Sequence, residues 1–221
     1  MGAAVILDVI GSTIIGGLLL LILFRTNDNI TMNTYNFSGE VTLQENLVAT
    51  IEVLEFDFRK IGYCENPLAL PDPETDAILY ADTSEIIFLT DITGPDLAPG
   101  DGTLDTMRYR LGPTSELTGT PNPNDRLLYR EVNGVGQGVN LGVTYFKIRY
   151  FRDSLTSSGS TTLAEILDLP KTHTFGTPTG ITAMQIDIKV ENTATYGNPD
   201  DNPYRHAFWR QIRLSSRNLR R

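Results

Sequence analysis

Residues 1–24, MGAAVILDVIGSTIIGGLLLLILF, carry a single charged side chain, Asp8. Ala3 to Phe24 is 22 residues, and a helix of that length spans ~33 Å, enough to cross the ~30 Å hydrocarbon core of a bilayer. Three arrangements compete for such a segment. A cleaved signal places Lys or Arg near its start and a small-x-small site after its apolar run. Here the first basic residue is Arg25, and the run ends LLLLILFRTN. A buried core helix shows one apolar stripe, whereas this segment is apolar all round. A single membrane-spanning helix fits best. Its short N-terminal flank, followed by a large acidic domain, suggests N-terminus in and domain out, although Arg25 is the only basic flanking residue.

Asp8 is the informative residue of this segment. A carboxylate inside a spanning helix costs a few kcal/mol, so a partner or a wet location is expected. Two readings stay open: hydration at headgroup depth near the chain start, or pairing with the α-amino group of a neighbouring chain. Gly11, Ser12, Gly16 and Gly17 permit close helix–helix approach, and Ser12-x-x-x-Gly16 fits the small-xxx-small pattern.

Beyond this segment the chain is polar. Of 221 residues, 18 are basic and 27 acidic, a net charge of −9. That opposes general binding to nucleic acid or anionic membrane, since both require a positive surface. One cysteine, Cys64, excludes an intrachain disulfide and zinc sites built on several thiolates, and two histidines exclude a histidine-rich metal site.

Residues 25–41, rich in Asn and Thr and lacking helical periodicity, read as a linker or an unwound break. The clearest helix covers about Thr42 to Ile61. Leu43, Leu47, Ile51, Leu54, Phe58 and Ile61 form one apolar stripe, Glu45, Glu52 and Glu55 lie off it, and Gly62 is the expected stop. Thr42-x-x-Glu45 fits a capping box at its start. A Pro-rich loop follows at 66–76. Seven short apolar runs then read as strands: 77–81, 85–90, 106–111, 126–132, 144–151, 183–190 and 208–214. Several alternate with period two, as in Met184/Ile186/Ile188/Val190, the mark of half-buried antiparallel strands. A short helix is expected around Leu163–Leu167. Helix first and strands after is an α+β order, with an amphipathic helix packed on one antiparallel sheet in two layers.

Candidate chemistry is thin. The alternate glycines of residues 132–138, VNGVGQG, sit between two expected strands, so a hairpin loop outweighs a phosphate cradle. Asp200, Asp201 and Asn202, and Asp91, Asp96, Asp101 and Asp105, supply the oxygen ligands that calcium takes. Neither stretch has EF-hand spacing, and Asn/Asp/Pro turns explain both more cheaply. His173 and His206 lack a nearby nucleophile motif, and Cys64 reads as a small half-buried residue. Five arginines, Arg210, Arg213, Arg217, Arg220 and Arg221, close the chain. They read as a solvated last strand, with contact to phosphate, headgroups or an acidic neighbour as the alternatives. No catalytic residue, cofactor or metal site is assigned.

Residues 54–63, LEFDFRKIGY, resemble the "L-x-x-D-x-R-x-x-G-Y" helix end of type IV pilin-like proteins, above all W-type minor pilins and J-type pseudopilins. The runs TMRYRL, NDRLLYREVNG and LGVTYFKIRYFRD resemble their hairpin strands, and Arg217-Asn218-Leu219 resembles their "R-N-L" ending. The likeness covers roughly residues 1–24 and 42–219. The family's leader, a basic Lys/Arg-Gly followed by Phe-Thr-Leu-x-Glu, does not occur in this sequence. The resemblance implies a pilin-like fold and a non-enzymatic structural subunit of a type IV pilus or type II secretion-like assembly. It implies anchoring in the inner membrane, with other pilin or pseudopilin subunits as partners. Gly2, Asp8, Gly11, Ser12 and Gly16 are then the assembly residues, with Asp8 standing for the family's near-N-terminal glutamate. The competing class is a single-pass, membrane-anchored β-rich binding or adhesion module that does not polymerise and binds through the loops near Asp91–Asp105 or Asn198–Asn202. An envelope enzyme, the third class, lacks a recognisable catalytic constellation.

Overall fold

The computed structural model describes residues 2–92, 100–155, 161–167, 180–192 and 207–220. One helix, α1 (Gly2–Arg59), runs through both expected helices and through the polar stretch between them. The reading of 25–41 as an unwound break is therefore corrected: the segment is helical. Helix nucleation is the costly step, and propagation from strong helices on both flanks needs only a modest gain per residue. The segment contains no proline. Two of its threonines turn their hydroxyls onto the helix itself: Thr26 donates to Ile22 O at 2.8 Å and Thr31 to Asn27 O at 2.9 Å. Thr42 does the same to Ser38 O at 3.0 Å, so it is an interior helical residue and the capping-box assignment fails.

The apolar stripe is otherwise as expected: Leu43, Leu47, Ile51, Leu54, Phe58 and Ile61 are all buried. The helix stops where Gly62 takes φ +71°, a left-handed conformation that disfavours side chains. A Cβ there would also lie 3.0 Å from Pro73 Cβ. The Pro-rich loop carries one turn of helix, α2 (Pro73–Asp76), capped by Asp72, whose carboxylate accepts from Thr75 N.

Nine strands are present among the described residues, in two antiparallel sheets rather than one. The first sheet is a meander of β1 (Ile78–Ala81), β2 (Glu85–Thr90), β3 (Asp105–Leu111), β4 (Leu128–Val132) and β5 (Val135–Val139). The second contains β6 (Val143–Leu155), β7 (Thr161–Glu165), β8 (Ala183–Glu191) and β9 (Ala207–Leu214), in the order β7-β6-β8-β9. The expected helix at Leu163–Leu167 is instead β7 and the residues just after it. Paired with β6, those residues gain ladder hydrogen bonds that an isolated turn of helix lacks. The hairpin in VNGVGQG turns at Asn133 and Gly134, both with positive φ, and β5 starts at once. Its alternate glycines are a packing requirement. A Cβ on Gly136 would sit 2.3 Å from Arg130 O, and one on Gly138 2.7 Å from the Tyr129 ring.

A core of Ile86, Phe88, Met107 and Tyr109 from the first sheet meets Phe146, Ile148, Met184, Ile186 and Ile188 from the second, with the C-terminal third of α1 against both. The sheets are joined by Ile148 N donating to Thr83 O at 2.7 Å and by Tyr150 OH donating to Asp82 O at 2.9 Å. The arrangement is an α+β fold: a long N-terminal helix whose end packs on antiparallel sheets.

Candidate functional site

The first residue of α1 to be buried is Leu43, residues 35–42 flank the domain at Asn140, Leu141 and Asn192, and ahead of them the helix projects. Large apolar side chains from Val5 to Phe24 are exposed around its whole circumference. Gly2, Asp8, Gly11, Ser12 and Gly16 all lie on this projection. Asp8 precedes Leu43 by 35 residues, about 52 Å at the rise of a helix, far from any group of the folded domain.

Asp8, Ser12 and Gly16 follow one i, i+4 ridge with Gly11 beside it, whereas Gly2 lies at the tip and off that ridge. The Ser12 hydroxyl bonds back to Asp8 O at 2.9 Å and Val9 O at 3.0 Å, and Thr13 donates to Val9 O at 2.7 Å. Hydroxyls so engaged make the ridge narrow and locally satisfied. A Cβ on Gly11 or Gly16 would meet nothing within 4 Å in this chain. Chemically, the surface offers close contact to another helix and one carboxylate within an apolar cylinder. Exposed apolar area on this scale is stable only when lipid or protein covers it.

At its other end α1 is locked into the domain by polar groups. Asp57, on the edge of the apolar stripe, is buried and accepts from Tyr109 OH on β3. Arg130 on β4 donates Nε to Asp57 Oδ2 at 2.7 Å and Nη2 to Oδ1 at 3.2 Å. Burial, and then the Asp57 charge, push the Tyr109 phenol far up, so it stays a neutral donor. Beyond Gly62, the C-terminal segment closes the helix end. Ser216 Oγ donates to Ile61 O at 2.8 Å, Asn218 Nδ2 donates to the same oxygen at 3.2 Å, and Leu219 is buried. The resembling motifs at 54–63 and 217–219 thus meet in space. Sequence reasoning missed the partners of Asp57, although an aspartate among buried stripe residues was the available signal.

The other sequence candidates resolve into structure. Asp91 is buried and accepts from the N–H groups of Glu65, Asp101 and Gly102 at 3.0, 3.0 and 2.9 Å, its Oδ1 taking Asp101 and its Oδ2 the other two. Burial alone would raise its pKa, and those three donors together hold it below the ordinary value. Asp105 accepts from Ile92 N and Asn133 Nδ2, at 3.0 and 2.7 Å. These carboxylates organise loops. Among the described residues, no cluster of three or more His, Cys, Asp or Glu side chains is placed to hold a metal ion. Cys64 is half-buried beside Asp91, and burial raises its thiol pKa. Arg213 lies 4.8 Å over the Phe151 ring and donates to Gln185 Oε1 at 3.2 Å. Asp96, His173, Asp200, Asp201, Asn202, His206 and Arg221 lie outside the described residues.

No protein-family model matches the sequence, and none of the curated proteins matches it at significance. Among solved structures, the chain is similar to a type IV-like pilin from Thermus thermophilus. The two share 13% sequence identity with a TM-score of 0.44, over 80% of this chain and 98% of that one.

Proposed function

We propose that this chain is a pilin-type structural subunit: a minor component of a type IV pilus or of a type II secretion-like machine. It is held by residues 1–24 in the inner membrane before assembly, with the domain of residues 42–221 outside the cytoplasm. The observation that carries this reading is the unbroken α1. A helix continuous from an apolar projection into the centre of the domain fixes the domain's orientation. Side-by-side packing of such helices then places their domains in a regular array. An anchored receptor that does not polymerise gains nothing from that rigidity and would work equally well on a flexible tether. Residues 25–41 act as a polar helical spacer between span and domain. Other pilin or pseudopilin subunits are the partners. Gly11, Ser12 and Gly16 allow close approach of a neighbouring helix, and Asp8 neutralises that neighbour's α-amino group and sets the register.

The test is fractionation. Cells are sheared, surface filaments are pelleted, and pellet and membranes are probed for this chain by mass spectrometry, reading its first residue. Recovery in filaments, or in membranes together with secretion-machine subunits, supports the proposal. Recovery in membranes alone, free of any such subunit, overturns it in favour of the anchored binding module.

A further inference from the structure

We propose that a polar pocket between the β3–β4 connection and the second sheet binds an acidic sugar. This reading is independent of the assembly role, because the pocket belongs wholly to the globular domain. The cavity, about 270 Å³, is walled by Arg126, Thr144, Tyr145, Lys189 and Glu191. Thr114 and Asn124 complete its rim.

The pocket owes its shape to an irregularity in β6. Val143 pairs with Val190, yet Tyr145 pairs with Lys189, so Thr144 is an extra residue opposite β8. Consecutive strand residues normally face opposite sides. The bulge brings Thr144 and Tyr145 to one cavity, the re-aiming for which bulges recur beside binding sites. The same stretch holds the other wall: Arg126 N donates to Val143 O at 3.0 Å.

Two polar atoms of this pocket's lining residues, Arg126 Nε and Thr144 Oγ1, are buried without a hydrogen-bond partner. Buried nitrogens and oxygens are rarely left so, and two such atoms beside one cavity suit a ligand that supplies acceptors. Arg126 carries the fork of donors that matches a carboxylate. Lys189, paired with Glu191, adds a second cation, and Glu191 offers acceptors to hydroxyl groups. The Thr114 and Thr144 hydroxyls and the Asn124 amide both donate and accept.

Aromatic rings lie at and beside the pocket. Tyr145, Lys189 and Trp209 are cross-strand neighbours in one row, and the two rings are 43% and 58% exposed. Flat, half-wet rings suit the apolar face of a pyranose. A bare phosphate would use the cations and ignore the rings, and a neutral sugar would leave the guanidinium unpaired. A uronate unit in the pocket, with its oligomer crossing Tyr145 and Trp209, uses both. The volume falls below the ~300–1,000 Å³ of drug-sized sites and suits one sugar unit.

Trp209, opposite the lining residue Lys189, is the chain's one tryptophan, so its emission reports on a ligand that reaches this row. The full chain, in detergent micelles, is titrated with trigalacturonate and, separately, with galactotriose and inorganic phosphate while Trp209 emission is followed. The expected result is a saturable change with trigalacturonate, at least about tenfold weaker with galactotriose or after Arg126→Gln. Tyr145→Ala, at the exposed rim, weakens binding as well and serves as the readout should Arg126→Gln fail to fold. A flat titration to about 10 mM overturns the proposal. So does equal binding of galactotriose, equal competition by phosphate, or unchanged affinity in Tyr145→Ala or in folded Arg126→Gln.

Discussion

Arg130 and Asp57 are 73 residues apart in sequence, yet the guanidinium of one meets the carboxylate of the other through two hydrogen bonds of 2.7 and 3.2 Å. The pair ties β4 to α1, and Tyr109 OH reaches the same carboxylate from β3. Asp57 is buried while the Arg130 side chain is 41% exposed, so the pair sits between the surface and interior limits. Asp57→Ala leaves the Tyr109 hydroxyl without its buried acceptor and is expected to cost about 2–3 kcal/mol. Chemical denaturation of the full chain in micelles measures this. A loss below ~0.5 kcal/mol would show that the contact does not secure the helix.

The closure at the helix end gives a second expectation. Leu219 is buried, and Asn218 and Ser216 both donate to Ile61 O. Leu219→Ala should cost about 2–3 kcal/mol through lost burial and the cavity left behind. Asn218→Ala should cost about 1 kcal/mol, because Ser216 still serves the same carbonyl. Thermal melts that rank the two variants the other way would contradict this division.

Asp125 is 1% exposed, in the neighbourhood of Asn140 and Thr120. Burial raises its pKa, an effect offset in part by Asn140 and Thr120 and reinforced by the Glu191 charge. A folded pKa above the unfolded one means that stability falls as pH rises from the unfolded value through the folded one. Asp125→Asn should therefore stabilise the domain by about 1 kcal/mol at pH 7, a gain that disappears below about pH 4. Melting temperatures at both pH values test the sign.

Asp91 titrates with the opposite effect. Its folded pKa is lowered, so its contribution is complete above the unfolded value of about 3.9 and is lost as pH falls through the folded value. Asp91→Asn should be destabilising at pH 7 and nearly neutral in strong acid. A uniform effect across an acid titration of stability would remove the Asp91 carboxylate from the account.

Asp8→Ala should leave the domain's melting transition unchanged, since Asp8 contacts no part of it, and should abolish incorporation into sheared filaments. Normal incorporation of the variant would sink the proposed role of Asp8 in setting register.

The spacing of Leu43, Leu47, Ile51, Leu54, Phe58 and Ile61 was enough to locate the packed helix, its buried face and its stop at Gly62. Short apolar runs, several of them alternating with period two, located seven of the nine strands, because each buries side chains in the core. It missed β5 and β7, whose side chains are largely exposed and whose formation depends on the neighbouring strand. Residues 25–41 looked like a break because Asn, Thr and Gly are weak helix formers on their own. The flanking helices decide their state, through cooperativity that a local reading cannot weigh. The pocket of Arg126 and Thr144 was illegible for a similar reason. Thr144 and Tyr145 share a wall only because of a bulge, and Arg126 reaches it from the loop before β4.

Legible along the chain were an apolar segment too long and too uniform for a core helix and, after it, a domain with one amphipathic helix and alternating strands. Burial of apolar surface depends on local composition and period, and both are written along the chain. Only the tertiary structure decided that the two helices are one rod, that the strands divide into two sheets, and that Asp57 finds Arg130. The first outcome rests on cooperativity along the helix, and the other two on hydrogen bonds and ion pairs between residues far apart in sequence. Their energy depends on direction and distance, which one-dimensional order does not contain.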